Sequence, residues 1–392
     1  MGTRRKRDGE NTGERCIVYC MRIAIDARAF YWTGIGRYIR NIASEFLRNS
    51  YGHTFTLLVP EGKEDDVKKE LRDDGHFRYV GVEPSYYSLK EQTRFLFQLN
   101  KLDVDLVHFA HFNVPYFYRR PYVVTIHDIT RFIFPGQKRQ SFIQQIAYET
   151  VFSNAIANAW QVIAVSNTTK HDMQMLPFRH MAPITSIYEG VDPEFSQPVS
   201  LISRQKTRLL LGTDRPFFLF VGVWMSHKNL VRLLAAYQMV QKKFPEVALV
   251  ITGKPVPGYS NLIAYVQKNN LEKDVIFPGF VPHALLPALY SEAQAFVFPS
   301  LYEGFGLPPL EAMTCGAPVI ASNSSSIPEL LGNAAEYINP ESVDDIAHGM
   351  TKILQNPTYV NQLAKKGREY AKQYRWDVCA KQHIQVYEKA LE

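Results

Sequence analysis

Pro299-Ser300-Leu301-Tyr302-Glu303-Gly304-Phe305-Gly306-Leu307-Pro308-Pro309-Leu310-Glu311-Ala312-Met313-Thr314-Cys315-Gly316 decides how this 392-residue chain folds. The apolar run Ala295-Phe296-Val297-Phe298 just before it reads as a buried strand. Pro308-Pro309 suits a first helical turn, and Gly316 suits the position just past a helix end. The stretch is therefore strand, glycine-bearing loop, helix. Such a helix start carries unpaired N–H groups and the positive end of the helix dipole, a natural seat for phosphate. Proline has no N–H, so the donors are mainly Gly304, Phe305, Gly306, Leu307 and Leu310. Glu303 and Glu311 bracket that seat. A carboxylate takes two hydroxyl donors at once, so the pair suggests a sugar linked to a phosphate. On these two residues alone a plainer reading stays open, with Glu311 complementing the helix dipole and Glu303 solvated.

The same unit recurs upstream. Phe217–Val221 reads as a strand, Gly222-Val223-Trp224-Met225-Ser226-His227-Lys228-Asn229 as its loop, and Leu230, Leu233, Leu234 and Tyr237 as one face of a helix. A lysine at a helix start opposes the dipole. An anion above Lys228 relieves that conflict, which favours diphosphate binding over a solvated lysine. Further strands are expected at Val247–Ile251, Val275–Phe277, Gln294–Phe298 and Pro318–Ala321.

The first half repeats the alternation. Strands are expected at Ile23–Ile25, Phe55–Val59, Leu106–Phe109, Tyr122–Ile126, Val162–Val165 and Ile184–Tyr188. Alternating strands and helices imply parallel sheets covered on both faces, with ligands beyond the carboxyl ends of the strands. Gly34 and Gly36 follow the first strand and let backbone approach a ligand, although on these residues alone a tight turn is the favoured reading. The full dinucleotide fingerprint is absent, which disfavours a dinucleotide oxidoreductase. His127 stands at a strand end in Thr125-Ile126-His127-Asp128, as a structural hydrogen bonder or as a cleft residue, with Asp128 a candidate to orient its ring. Ser166 or Asn167 caps the next helix. Residues 192–215, with two prolines and a charged segment, read as a connection. Helices over 342–355, 358–374 and 376–391 close the chain.

From Glu303 to Val319 the wording Glu-Gly-Phe-Gly-Leu-Pro-x-Leu-Glu-Ala-Met-x-Cys-Gly-x-Pro-Val resembles the signature of the retaining glycosyltransferases of family four, the group 1 glycosyltransferases. Thr125–Asp128, Ile187–Asp192 and His227-Lys228-Asn229 resemble further motifs of that family, so the likeness covers nearly the whole chain. Two segments depart from it. Glu189 replaces a usual Asn, and Val223 and His227 hold the places where many members carry an Arg beside the lysine. The resemblance implies an α/β protein of GT-B architecture, two Rossmann-like domains with parallel sheets facing an interdomain cleft. The expected division is a basic extension at 1–20, an acceptor domain at 21–195, a donor domain at 196–375, and a helix at 376–392 that returns to the first domain.

The resemblance also implies site roles. His127, Lys228 and Glu303 form the catalytic group. Gly34, Gly36, Gly222, His227, Lys228, Phe280, Val281, Glu303, Gly304, Phe305, Gly306, Leu307 and Glu311 form the donor-binding group. Glu303 would hold sugar hydroxyls, Glu311 the ribose diol, and His127 the donor sugar. His227, if protonated, would be the second cation. Phe280 or Val281 would pack on the base, with core packing the alternative for Phe280.

Composition limits the rest. Hydrophobic content of 46% and charge of 21% fit a globular enzyme, and 392 residues fit two cores. A net charge of +6 without a basic stripe gives no reason to expect nucleic acid. Cys16, Cys20, Cys315 and Cys379 form neither a zinc set nor a disulfide framework, which fits a reducing cytoplasm. No metal and no cofactor is expected. Arg4–Arg7 opens an extension that ends before Met21, the expected start of the fold. Tyr116-Phe117-Tyr118-Arg119-Arg120 is either a covered loop or a contact with lipid headgroups at the inner face of the membrane. The expected reaction moves a sugar, with mannose from GDP-mannose the leaning, from a nucleotide-diphosphate donor to a glycan or lipid-linked acceptor. A nucleotide-sugar epimerase or a non-catalytic nucleotide-sugar-binding subunit on the same fold are the alternatives.

Overall fold

The computed structural model describes residues 20–134, 142–178, 180–254 and 261–392; the side chains of residues 142, 143 and 261 are not described. The basic extension expected at 1–20 lies outside these residues, Cys20 apart.

Among the described residues thirteen strands form two sheets. In the first, β1 (Arg22–Asp26), β2 (Thr54–Pro60), β3 (Phe77–Val82), β4 (Leu106–Phe109), β5 (Tyr122–Ile126), β6 (Gln161–Ala164) and β7 (Ile184–Ser186) run in the order β3-β2-β1-β4-β5-β6-β7. In the second, β8 (Phe217–Phe220), β9 (Ala248–Thr252), β10 (Val275–Gly279), β11 (Ala295–Phe298), β12 (Val319–Ser322) and β13 (Glu336–Ile338) run β10-β9-β8-β11-β12-β13. Every pairing is parallel. The central strands are buried on both faces, so their sequences are nearly unbroken apolar runs. In each sheet the order reverses beside the first strand, and the crevice at that point is where such sheets take ligands.

Two edge strands escaped the sequence reading. β3 is only half-buried and carries Arg78 and Gly81, and β13 is three residues long, so neither shows a buried apolar run. Within 192–215, expected to be a connection, Ser200 caps a regular helix, Leu201–Leu211, ended by Gly212 in the left-handed region.

The last helix, Trp376–Leu391, packs its buried face on the core of the first sheet beside Ile42 and Phe46. Gly190 allows the crossing. A Cβ there would stand 2.3 Å from the Trp376 nitrogen. Beneath that helix runs a buried chain of hydrogen bonds with one consistent direction. Tyr387 donates to His108 Nδ1 at 2.8 Å, His108 Nε2 to Thr125 at 2.8 Å, and Thr125 to Tyr38 at 2.9 Å. Tyr38 then donates to His383 Nε2 at 2.5 Å, and His383 Nδ1 to the Cys379 carbonyl at 2.7 Å. Every member is neutral and satisfied, as burial demands. Burial first, and then the neighbouring histidines, hold His108 well below its ordinary range.

The two domains meet through polar contacts. Glu329, from the helix Ile327–Leu331 of the second domain, accepts from the Asn167 and Thr168 amides at 2.7 and 2.8 Å and from the Tyr188 hydroxyl at 2.8 Å. It thereby places a negative charge at the positive end of the first domain's helix Asn167–Gln174. Tyr302 donates to Asp172 across the same boundary at 2.8 Å.

Candidate active site

The loop after β11 and the helix Leu307–Cys315 form the floor of the site. Gly306 has φ of 113°, a conformation that glycine adopts at low cost and other residues do not. Pro308 and Pro309 fall in the first helical turn as expected, and Gly316 ends the helix in the left-handed region. Among the described residues the amides of Gly304, Phe305, Gly306 and Leu307 have no hydrogen-bond partner, which leaves the donor row the sequence pointed to. The carbonyls of the same loop are tied down. Ser326 Oγ shares its one proton between those of Glu303 and Phe305, at 2.9 and 2.8 Å, and Ser166 Oγ, from the other domain, donates to that of Gly304 at 2.6 Å. Ser166, rather than Asn167, is the helix cap.

Lys228 closes a single 3-10 turn, Ser226–Lys228, and Asn229 follows in the left-handed region with φ of 62°. The Asn229 side chain binds the Pro299 and Pro340 carbonyls at 3.0 and 2.6 Å, and the Leu301 amide donates to the His227 carbonyl at 2.7 Å. These bonds knit the two loops into one unit. As a result, Lys228 Nζ reaches both oxygens of Glu303, at 2.6 and 2.8 Å. Gly222 lies in the same loop, and Gly253 packs so closely on it that a Cβ at Gly253 would stand 2.0 Å from the Gly222 carbonyl oxygen.

His227 is buried. That burial, and next the charge on Lys228, lower its pKa below the ordinary histidine value. With no anion above the loop the neutral ring is favoured near pH 7. Val223 offers no charge.

His127 sits at the end of β5, against the glycine loop. A Cβ on Gly304 would fall 1.8 Å from the His127 carbonyl oxygen, so only glycine lets the two domains approach here. Both ring nitrogens are engaged, Nε2 with the Ala110 carbonyl at 3.0 Å and Nδ1 with Glu189 at 3.2 Å. Tyr38 packs edge-on at 4.8 Å. Asp128 does not orient the ring, contrary to expectation, because its carboxylate accepts from the Thr130 amide at 2.8 Å. Glu189 takes that role.

Glu311 lies one turn into the helix and is buried. Its oxygens accept from Arg37, of the first domain, and from the Tyr290 hydroxyl. The sequence reading named Gly34 and Gly36 around Arg37 but passed over Arg37 itself. Gly36 serves packing, since a Cβ there would stand 2.4 Å from the Phe30 carbonyl oxygen, whereas Gly34 has open space. Phe280 is 63% exposed and Val281 is in the core, so the core-packing alternative for Phe280 falls away. Tyr116 and Phe117 are exposed while Tyr118 is buried. Among the described residues no helix is long and apolar enough to cross a membrane.

An ammonium, a carboxylate on it, and a row of free amides at a helix start thus converge where the two domains meet. Such a set stabilises developing negative charge on a phosphate while holding hydroxyls nearby.

Comparison with known proteins agrees with this frame. Residues 202–373 match the family model of the glycosyl transferases group 1, and residues 32–195 that of glycosyltransferase family 4. The chain is 28% identical over 380 residues to O-antigen chain mannosyltransferase B of Escherichia coli, covering 91% of this chain and 96% of that protein. It is 25% identical over 421 residues to the serotype-specific mannosyltransferase WbdA of Escherichia coli, covering 95% of this chain but only 48% of that longer protein. Among solved structures, the sucrose-phosphate synthase of Thermosynechococcus elongatus shares the fold with a TM-score of 0.73 at 22% identity, over 94% of this chain and 98% of that one. Two family models, one on each half of a paired parallel-sheet frame, make this chain a GT-B glycosyltransferase of the group 1 family.

Proposed function

We propose that the chain is a retaining, metal-independent mannosyltransferase that uses GDP-mannose to extend a lipid-linked or cell-surface glycan of the O-antigen kind. The observation that carries this reading is the Lys228–Glu303 pair beside the free Gly306 and Leu307 amides. The names of the similar Escherichia coli proteins favour mannose and an O-antigen acceptor.

In the proposed reaction the bond between the anomeric carbon and the β-phosphate oxygen breaks. The electron pair leaves with the diphosphate, which Lys228, the amides and the helix dipole stabilise. The acceptor hydroxyl attacks on the face the phosphate leaves, and its proton passes to the departing phosphate oxygen. Glu303 holds sugar hydroxyls, Glu311 the ribose diol, and exposed Phe280 the base. His127 positions the sugar. Metal independence is supported by the ammonium and amides already facing the leaving group. The exposed Tyr116 and Phe117 beside Arg119 support contact with an anionic membrane face. In domain terms, 21–195 would carry the acceptor side, 196–375 the donor side, and 376–392 the tether between them.

Thermal-shift titration with GDP-, UDP- and dTDP-sugars tests the donor, because a matching ligand stabilises the fold by mass action. GDP-mannose is expected to give the largest shift. Product NMR is expected to show the donor's anomeric configuration, in EDTA as well as with magnesium. An inverted product, or activity lost in EDTA and restored by magnesium, contradicts the reading.

A further inference from the structure

Both oxygens of Glu311 already hold a partner, and the side chain is closed off from solvent. Oε1 accepts from Arg37 Nη1, and Oε2 accepts from the Tyr290 hydroxyl at 2.8 Å, in a side chain only 2% exposed. Arg37 comes from the opposite domain, in the first turn of the helix Gly34–Arg48. Its Nε donates to Asp192 at 2.9 Å, and its guanidinium lies 5.2 Å from the centre of the Phe195 ring. Its Nη2 is buried and has no hydrogen-bond partner among the described residues. Burial alone would lower this guanidinium's pKa; Glu311 and Asp192 outweigh burial and hold it charged.

The lone pairs left on Glu311 are closed off from solvent by these two partners, so a ribose diol reaching Glu311 has to move Arg37 aside. Stripping one of two carboxylates from a buried guanidinium is costly unless another anion replaces it. The same ligand brings that anion. Leu307 precedes Glu311 by one helical turn, about 6 Å along the axis, so a phosphate on the Gly306 and Leu307 amides lies within reach of an arginine anchored at Glu311. Nη2 is a free donor for it, and the planar arginine fork suits phosphate geometry.

We propose that Arg37 is a donor-binding residue that trades Glu311 for the donor's phosphates as the ribose takes Glu311. It supplies, from the first domain, a second positive charge beside that of Lys228. The exchange rests on the reading of Glu311 as the ribose ligand.

Isothermal titration of the full chain with GDP against guanosine, and UDP against uridine, separates the phosphate contribution from the rest. Arg37→Gln is expected to weaken the diphosphate of the preferred base by about 10-fold, the loss of one charge-assisted contact. The matching nucleoside is expected to bind as before or more tightly, since its competitor at Glu311 is gone. Equal weakening of both ligands, or an unchanged diphosphate, overturns the exchange. Arg37→Lys keeps the charge that Asp192 needs and stands in should the glutamine variant not fold, with the same asymmetry expected at about 3-fold. Glu311→Gln is expected to weaken nucleoside and diphosphate alike. If it changes neither, the ribose reading of Glu311 is what fails, and the exchange fails with it. Failure of both GDP and UDP to bind the unaltered chain overturns the nucleotide reading itself.

Discussion

Glu189 shows how one substitution in a familiar pattern changes the chemistry around a site residue. It is 5% exposed, and a buried carboxylate needs a partner. That partner is the His127 ring, whose other nitrogen meets the Ala110 carbonyl. Carboxylate and carbonyl both accept. The two contacts hold the ring at both nitrogens and so fix its rotation, with Tyr38 packed edge to face against it. The neighbour Asp128 was the obvious candidate from sequence, but the Asx-type turn to Thr130 claims it. A partner 62 residues away could only be found once β5 and the segment after β7 were side by side. Removing it frees the ring, so Glu189→Ala is expected to lower kcat about 10-fold with donor affinity changed less than about 3-fold. Unchanged kcat in the folded variant would show that Glu189 only fills space.

At the scale of the element, the returning helix Trp376–Leu391 is held to the first domain by packing and by the one-way chain from Tyr387 to the Cys379 carbonyl. The helix itself was legible from its apolar spacing. The chain was not, because its members His108, Thr125, Tyr38 and His383 read individually as isolated polar residues in apolar segments. Burial drives His383 down to about 4, with its bond to the Cys379 carbonyl opposing the shift and His127 adding to it. An unfolded histidine titrates near 6.5. Between about 6.5 and 4 the unfolded chain therefore binds a proton that the folded chain refuses. Stability falls as pH drops through that window, by about 3 kcal/mol from His383 alone. Urea denaturation at pH 7 and at pH 4.5 is expected to show the loss. A His383→Gln variant is expected to be less stable at pH 7 but flatter in its pH dependence. The same slope in both proteins would place the acid sensitivity elsewhere.

For the whole molecule, the paired parallel sheets were readable because a strand buried on both faces leaves an apolar run. The glycine loop was readable because Gly306, Pro308 and Gly316 each answer a backbone requirement. What stayed hidden is what one domain does to the other. Arg37 on Glu311, Ser166 on the Gly304 carbonyl and Glu329 on the Asn167 and Thr168 amides all join residues more than 130 positions apart. These bonds hold the domains together around the glycine loop. Glu329→Ala removes a carboxylate that satisfies several donors of the first domain, and is expected to widen the molecule in small-angle scattering and lower kcat about 10-fold. An unchanged scattering profile and rate would show that the contact has no part in closure.

The central claim is that Lys228, Glu303 and the amides of the glycine loop act as one sugar-transfer site. The direct measurement is transfer of labelled mannose from GDP-mannose to a lipid-linked glycan acceptor by the unaltered chain, Lys228→Ala and Glu303→Ala. Circular dichroism and thermal unfolding verify that each variant folds. The expected result is transfer by the unaltered chain and a fall of about 10²- to 10³-fold in each folded variant, the size seen when a donor to a developing oxyanion is lost. Full activity in either variant would contradict the account.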